Sequence, residues 1–96
     1  MHVVNGLEQA RVALQAGALV LASPPYAACH AGVNYYRALV AQLRTEFPDT
    51  PFTFTLCCGD DAAIAHDALR LGFTRIRCDC SEPMRAQLKA MGAMIS

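Results

Sequence analysis

The chain predicts a small α/β domain built on a parallel sheet, and three observations carry that reading. Three amphipathic stretches close on a glycine and pass at once to an apolar residue, at Ala16-Gly17-Ala18-Leu19, Leu71-Gly72-Phe73-Thr74 and Met91-Gly92-Ala93-Met94. Glycine suits the left-handed residue after a helix, and a short step from it into an apolar run lays the next strand beside that helix. Residues 18–23 are unbroken and apolar up to Ser23, as a strand covered on both faces tends to be. Residues 52–58 and 75–80 alternate instead, with Phe52, Phe54, Leu56 and Cys58 on one side and Thr53, Thr55 and Cys57 on the other, then Ile76, Cys78 and Cys80 opposite Arg75, Arg77 and Asp79.

Each element follows from its own pattern. A very short strand at 2–4 leads to Asn5-Gly6-Leu7-Glu8, where a capping residue stands three places before Glu, and a helix over 6–16 carries Leu7, Ala10 and Leu14 on one face. The central strand at 18–23 gives way to the longest irregular stretch, 24–32, which holds Tyr26, Cys29 and His30. The next helix keeps Val33, Tyr36, Val40, Leu43 and Phe47 at helical spacing and stops before Pro48; Tyr35 and Tyr36 split between surface and core. After the strand at 52–58, Gly59-Asp60-Asp61 opens a helix, with Asp60 or Asp61 as its cap and Ile64, Ala68 and Leu71 as its inner stripe. A last helix begins at Ser81 with Met84, Leu88 and Met91 inward, and 93–96 offers a final short strand.

The expected architecture is therefore a sheet of about four parallel strands, with a short fifth as an option, and four helices. A flavodoxin-like open sheet covered on both faces is the first expectation, with the Arg-bearing strand at an edge where charge discourages edge pairing. The alternative is a half (βα) barrel segment, in which successive crossovers all run one way and put every helix on one face. In that case a second copy would cover the open face.

Composition narrows the function classes. The 96 residues make a single domain. The chain is 54% hydrophobic and 17% charged, against about 45–50% and about 25% in ordinary soluble domains. This excess points to a buried interface, and so to a homodimer. The eight basic and eight acidic residues cancel, which argues against nucleic acid and against an anionic membrane surface. No apolar run approaches the ~20 residues of a spanning helix, and no signal-peptide pattern opens the chain, so a cytoplasmic protein is expected. Five cysteines, at 29, 57, 58, 78 and 80, sit at spacings poor for disulfides and fit free thiols.

Chemistry, if present, belongs at the carboxyl ends of the strands, where parallel α/β sheets bind ligands. That rim collects Ser23, the 24–32 loop with Tyr26 and His30, Asp60 and Asp61, and Asp79 with Ser81, and these seven are the expected ligand-binding residues. Cys58, Cys78, Cys80 and His30 are of the types that hold zinc, but no Cys-x-x-Cys spacing occurs and the cysteines share the parity of Phe54, Leu56 and Ile76. Core packing explains them better, so no metal is expected. Asp60, Asp61 and Asp79 could meet a cation or a sugar hydroxyl, although helix capping accounts for the first two.

Ser23-Pro24-Pro25-Tyr26-Ala27-Ala28, then Gly32, Tyr35 to Gln42, Cys58 to Asp61 and Ala68 to Gly72 resemble a group of short bacterial α/β proteins of unassigned function. The similarity covers about residues 18–80. It implies the fold and assigns no activity, cofactor or site residue. The function expected from these readings is a dimeric small-ligand binding or regulatory module with its pocket at the carboxyl rim. Two alternatives stand beside it: a small enzyme using Asp60, Asp79 and His30, with or without a metal, and a structural subunit of an assembly.

Overall fold

The computed structural model describes residues 2–26 and 32–95. Among these residues five strands alternate with four helices, β1 (His2–Val3), α1 (Leu7–Gln15), β2 (Val20–Ala22), α2 (Val33–Glu46), β3 (Thr53–Cys57), α3 (Ala62–Arg70), β4 (Arg75–Arg77), α4 (Glu82–Ala90) and β5 (Met94–Ile95). Both short terminal strands form. All pairings are parallel, as in the small parallel sheet with four helices expected from the sequence.

Strand order decides between the two architectures. The strands lie in chain order, β1-β2-β3-β4-β5, with no reversal. A flavodoxin-like sheet reverses once, and that reversal is what sends helices to opposite faces. Here every crossover steps the same way, so crossovers of one hand leave every helix on one face. The packing agrees: α1 touches α2, α2 touches α3, and α3 touches α4. The architecture is accordingly the alternative reading, the one-layer arrangement of a (βα) barrel segment, in place of the doubly covered sheet.

The core lies between that helix layer and one face of the sheet. Leu21, Phe54, Leu56, Cys58, Ile76 and Cys78 point into it, together with Ala10, Ala13 and Leu14 of α1, Tyr36, Leu39 and Leu43 of α2, Ala65 and Ala68 of α3 and Leu88 of α4. Register confirms the shared face, because Leu21 stands opposite Phe54 and Leu56 opposite Ile76, and residues paired across parallel strands point the same way. Tyr36 is buried and Tyr35 exposed, with their rings edge to face at 4.9 Å. On α4 only Leu88 is buried; Met84 and Met91, expected inward, are 38% and 43% exposed, because α4 covers the sheet edge and has a neighbouring helix on one side only.

The other face carries Val3, Val20, Ala22, Thr53, Thr55, Cys57, Arg75, Arg77 and Met94, and none of the described helices packs across it. Its flanks are open, with Val3 53%, Val20 47% and Met94 58% exposed. Its centre is closed, since Ala22, Thr55 and Cys57 are buried. Spacing explains the contrast. Four adjacent helices at 8–10 Å need roughly 30 Å, while five strands about 4.8 Å apart span roughly 19 Å. A layer of helices wider than its sheet makes the sheet curl, helices outside, and the concave side then crowds its central residues.

Helix ends follow local chemistry with two departures. Asp61 caps α3, its Oδ1 accepting from the backbone N–H of Ala63 at 3.0 Å and of Ile64 at 3.2 Å. The α1 cap is Gly6 rather than Asn5, and the reciprocal bond comes from Gln9, whose Oε1 accepts from the Asn5 N–H at 2.8 Å. Glu8 is thereby free to pair with Arg11, which also reaches Glu46 of α2 through Nε at 2.7 Å. Ser81 occupies the α4 cap position without a side-chain cap bond.

Candidate functional site

The carboxyl rim is built by backbone bonds that carry the sheet past its strands. Ser23 N–H donates to Thr55 O at 3.0 Å, Cys58 N–H to Arg77 O at 2.8 Å and Asp79 N–H to Gly59 O at 2.7 Å. The Ser23 hydroxyl oxygen accepts from the Cys57 N–H at 2.8 Å, from a position 1% exposed. These bonds fix three strand ends, from β2, β3 and β4, relative to one another.

At this rim, on the concave side, lies a cavity of about 130 Å³ lined by Pro25, Tyr26, Cys57, Gly59, Arg77 and Asp79. Cys57 and Arg77 are register partners on β3 and β4, so their side chains leave the sheet on the same face. Asp79 follows Arg77 by two residues and continues that face. No ion pair joins Arg77 to Asp79 among the described residues. The cavity therefore presents a cation and an anion beside an apolar wall.

Tyr26 supplies that wall under strain. Its φ of 59° lies in the left-handed region, which is rare for a residue with a Cβ and costs of order 1–2 kcal/mol. Gly59, at φ +60°, lets the ring in: a Cβ built there would stand 2.4 Å from Cδ1 of Tyr26. Backbone strain of this kind concentrates at functional sites. Tyr26 is nonetheless 47% exposed, so the ring is presented and not merely packed.

Of the seven residues expected to bind ligand, the structure brings Tyr26 and Asp79 to the cavity. Ser23 braces the rim from inside, Asp61 is engaged as the α3 cap, and Asp60 and Ser81 are exposed outside the cavity wall. His30 falls outside the described residues, as does Cys29. Pro25 and Gly59 belong to the loop at 24–32 and the turn at 58–61, which the sequence reading expected to form the pocket, whereas Cys57 and Arg77 were not expected in its wall. Arg77 was legible from its parity with Asp79, and Cys57 from its parity with Thr53 and Thr55, once that face is recognised as open.

Among the described residues the other thiols belong to the core or pack against it: Cys58, Cys78 and Cys80. Cys58 and Cys78 are buried, and burial pushes the Cys78 thiol up to about 12, assisted by Cys80, so it stays protonated at neutral pH. Among the described residues no three His, Cys, Asp or Glu side chains gather as a metal site, and no helix is long and apolar enough to cross a membrane. Comparison with protein-family models, with curated proteins and with solved structures finds no match. The fold and site thus define the class on their own: a one-layer βα segment with a polar cavity where its concave face meets the carboxyl ends of its strands.

Proposed function

We propose that the chain is a homodimeric module that binds a small polar molecule in the rim cavity. The observation that carries this reading is Tyr26, held at positive φ against Gly59 so that its exposed ring faces Arg77 and Asp79. Arg77 supplies a planar guanidinium for an anionic group and Asp79 an acceptor for a donor group, a pairing that suits a ligand carrying both. The cavity volume limits the bound portion to a few non-hydrogen atoms beyond what the ring covers.

The dimer is supported by the open concave face. Parallel sheets are almost always covered on both sides. A curled five-strand segment is complemented best by another segment of the same curvature, and a second copy supplies one. In that pairing the rim cavity, which opens on the same face, becomes enclosed by the partner.

Native mass spectrometry on protein isolated without added ligand tests both parts together. The expected result is a dimer carrying extra small-molecule mass that is lost in Arg77→Gln and in Asp79→Asn, with the dimer retained in both. A monomer without bound mass, at concentrations where the variants and the parent are equally folded, would overturn the reading.

A further inference from the structure

The rim cavity carries one formal charge of each sign. Of its wall residues, Pro25, Tyr26, Cys57, Gly59, Arg77 and Asp79, the last two alone supply them. Both are exposed, and neither is in an ion pair among the described residues. They stand two residues apart on one face, which sets their Cα atoms roughly 6.6 Å apart. The Asp79 N–H, bonded to Gly59 O at 2.7 Å, holds that spacing from the backbone. A ligand with a single charge meets its like at such a wall: a lone carboxylate is drawn to Arg77 and repelled by Asp79, and a lone ammonium the reverse. A neutral ligand forgoes both attractions. A ligand with both charges gains both.

Size is an independent constraint. The cavity measures about 130 Å³. A cavity of about 150 Å³ takes benzene, so this one takes about five or six non-hydrogen atoms. The smallest molecules that set a carboxylate and an ammonium on one carbon, glycine and alanine, are of that size. Little wall is left for a longer side chain, since Cys57 is buried and Gly59 lies against the Tyr26 ring. That ring is 47% exposed, and an aromatic face draws the same cation that Asp79 draws.

On the reading of this cavity as a binding site, we infer that its ligand is a small α-amino acid in zwitterionic form, glycine or alanine. The carboxylate takes two N–H donors from Arg77, whose fork matches it in two-point geometry. The ammonium donates to Asp79 beside the ring of Tyr26. The α-carbon substituent turns to the apolar wall of Pro25 and Cys57.

The test is calorimetric titration of the full chain, at low ionic strength because both charges are exposed, with alanine, lactate, ethylamine and 4-aminobutyrate. Alanine is expected to bind at least tenfold more tightly than lactate, which lacks the ammonium, and than ethylamine, which lacks the carboxylate, each forgoing one charge-assisted contact. 4-Aminobutyrate carries the same two charges further apart and exceeds the cavity, so it too should bind at least tenfold more weakly. Asp79→Asn should abolish the preference for alanine over lactate, with lactate binding as well as before or better, whereas Arg77→Gln should weaken alanine and lactate alike. Circular dichroism should match the parent in both variants, since both side chains are exposed. Equal affinity for alanine and lactate, or a preference that survives Asp79→Asn, would overturn the inference. Native mass spectrometry separates its failure from that of the binding reading. Retained small-molecule mass that alanine does not displace overturns the amino acid alone; no retained mass, with no binding of any of the four compounds, overturns both.

Discussion

Tyr26 and Gly59 are two left-handed residues that account for each other. With φ near +60° at both, the turn after β2 delivers a ring into the space that only glycine leaves over the turn after β3. Gly59→Ala therefore meets two penalties, the strained backbone and the clash with Cδ1 and Cε1 of Tyr26. The expected loss is about 2 kcal/mol, read as a fall in melting temperature on the order of 10 °C for a domain of this size. In the double variant Gly59→Ala with Tyr26→Ala the clash is gone and part of that loss returns. If the two changes are additive, the ring does not rest on Gly59.

At the level of elements, α1 and α2 are tied on the outside by Arg11, which bonds Glu8 on its own helix and Glu46 across the groove, where Gln42 also donates to Glu46. Those hydrogen bonds, that of Arg11 foremost, hold the Glu46 carboxyl down at about 2 from an ordinary value of 4.5. A carboxyl lowered in the folded state adds stability above its unfolded value and loses it as pH falls through the folded one. The tie should weaken between about pH 4.5 and 2, and Arg11→Ala should remove that part of the acid dependence. Carbon-detected NMR of the Glu46 carboxyl reads it directly; a midpoint unchanged by Arg11→Ala would show that the pair contributes nothing.

The elements were largely legible because each announces itself within a few residues: Asp61 before an apolar-periodic run, glycine after each of three helices, Phe52 to Cys58 alternating. Their arrangement was less so. Unbroken apolar sequence at 18–23 argued for helices on both faces, yet Val20 is 47% exposed. The alternation of β3 and β4 carried the better signal, since Thr53, Thr55, Arg75 and Arg77 mark a face without helices. Chain order in a sheet is a long-range property, and side-chain parity is the only local trace it leaves. At the candidate site the same limit applies, because Arg77 and Cys57 become neighbours through strand register, which no single segment encodes.

For the whole molecule, the concave face sets the strongest expectation. Val3, Val20 and Met94 leave apolar surface open on both flanks of a sheet whose centre is already dry. If a second copy covers that face, light scattering should find a dimer, and Val20→Asp should shift it to monomer while the helical circular dichroism signal persists, since Val20 lies on the sheet face opposite the helix layer. A parent protein that stays monomeric at high concentration would exclude a dimer built on this face.

Sequential strand order also governs how the chain comes apart. Because each βα unit pairs only with the units before and after it in sequence, the domain is a short linear array with two ends and one centre. Loss of β1 or β5 frees one edge and leaves the rest of the ladder intact, whereas nothing can leave β3 without cutting the array in two. Cooperativity is thus graded along the chain: the two-residue terminal strands open first and most often, and the middle of the sheet, where β3 is flanked on both sides, is the last part to yield.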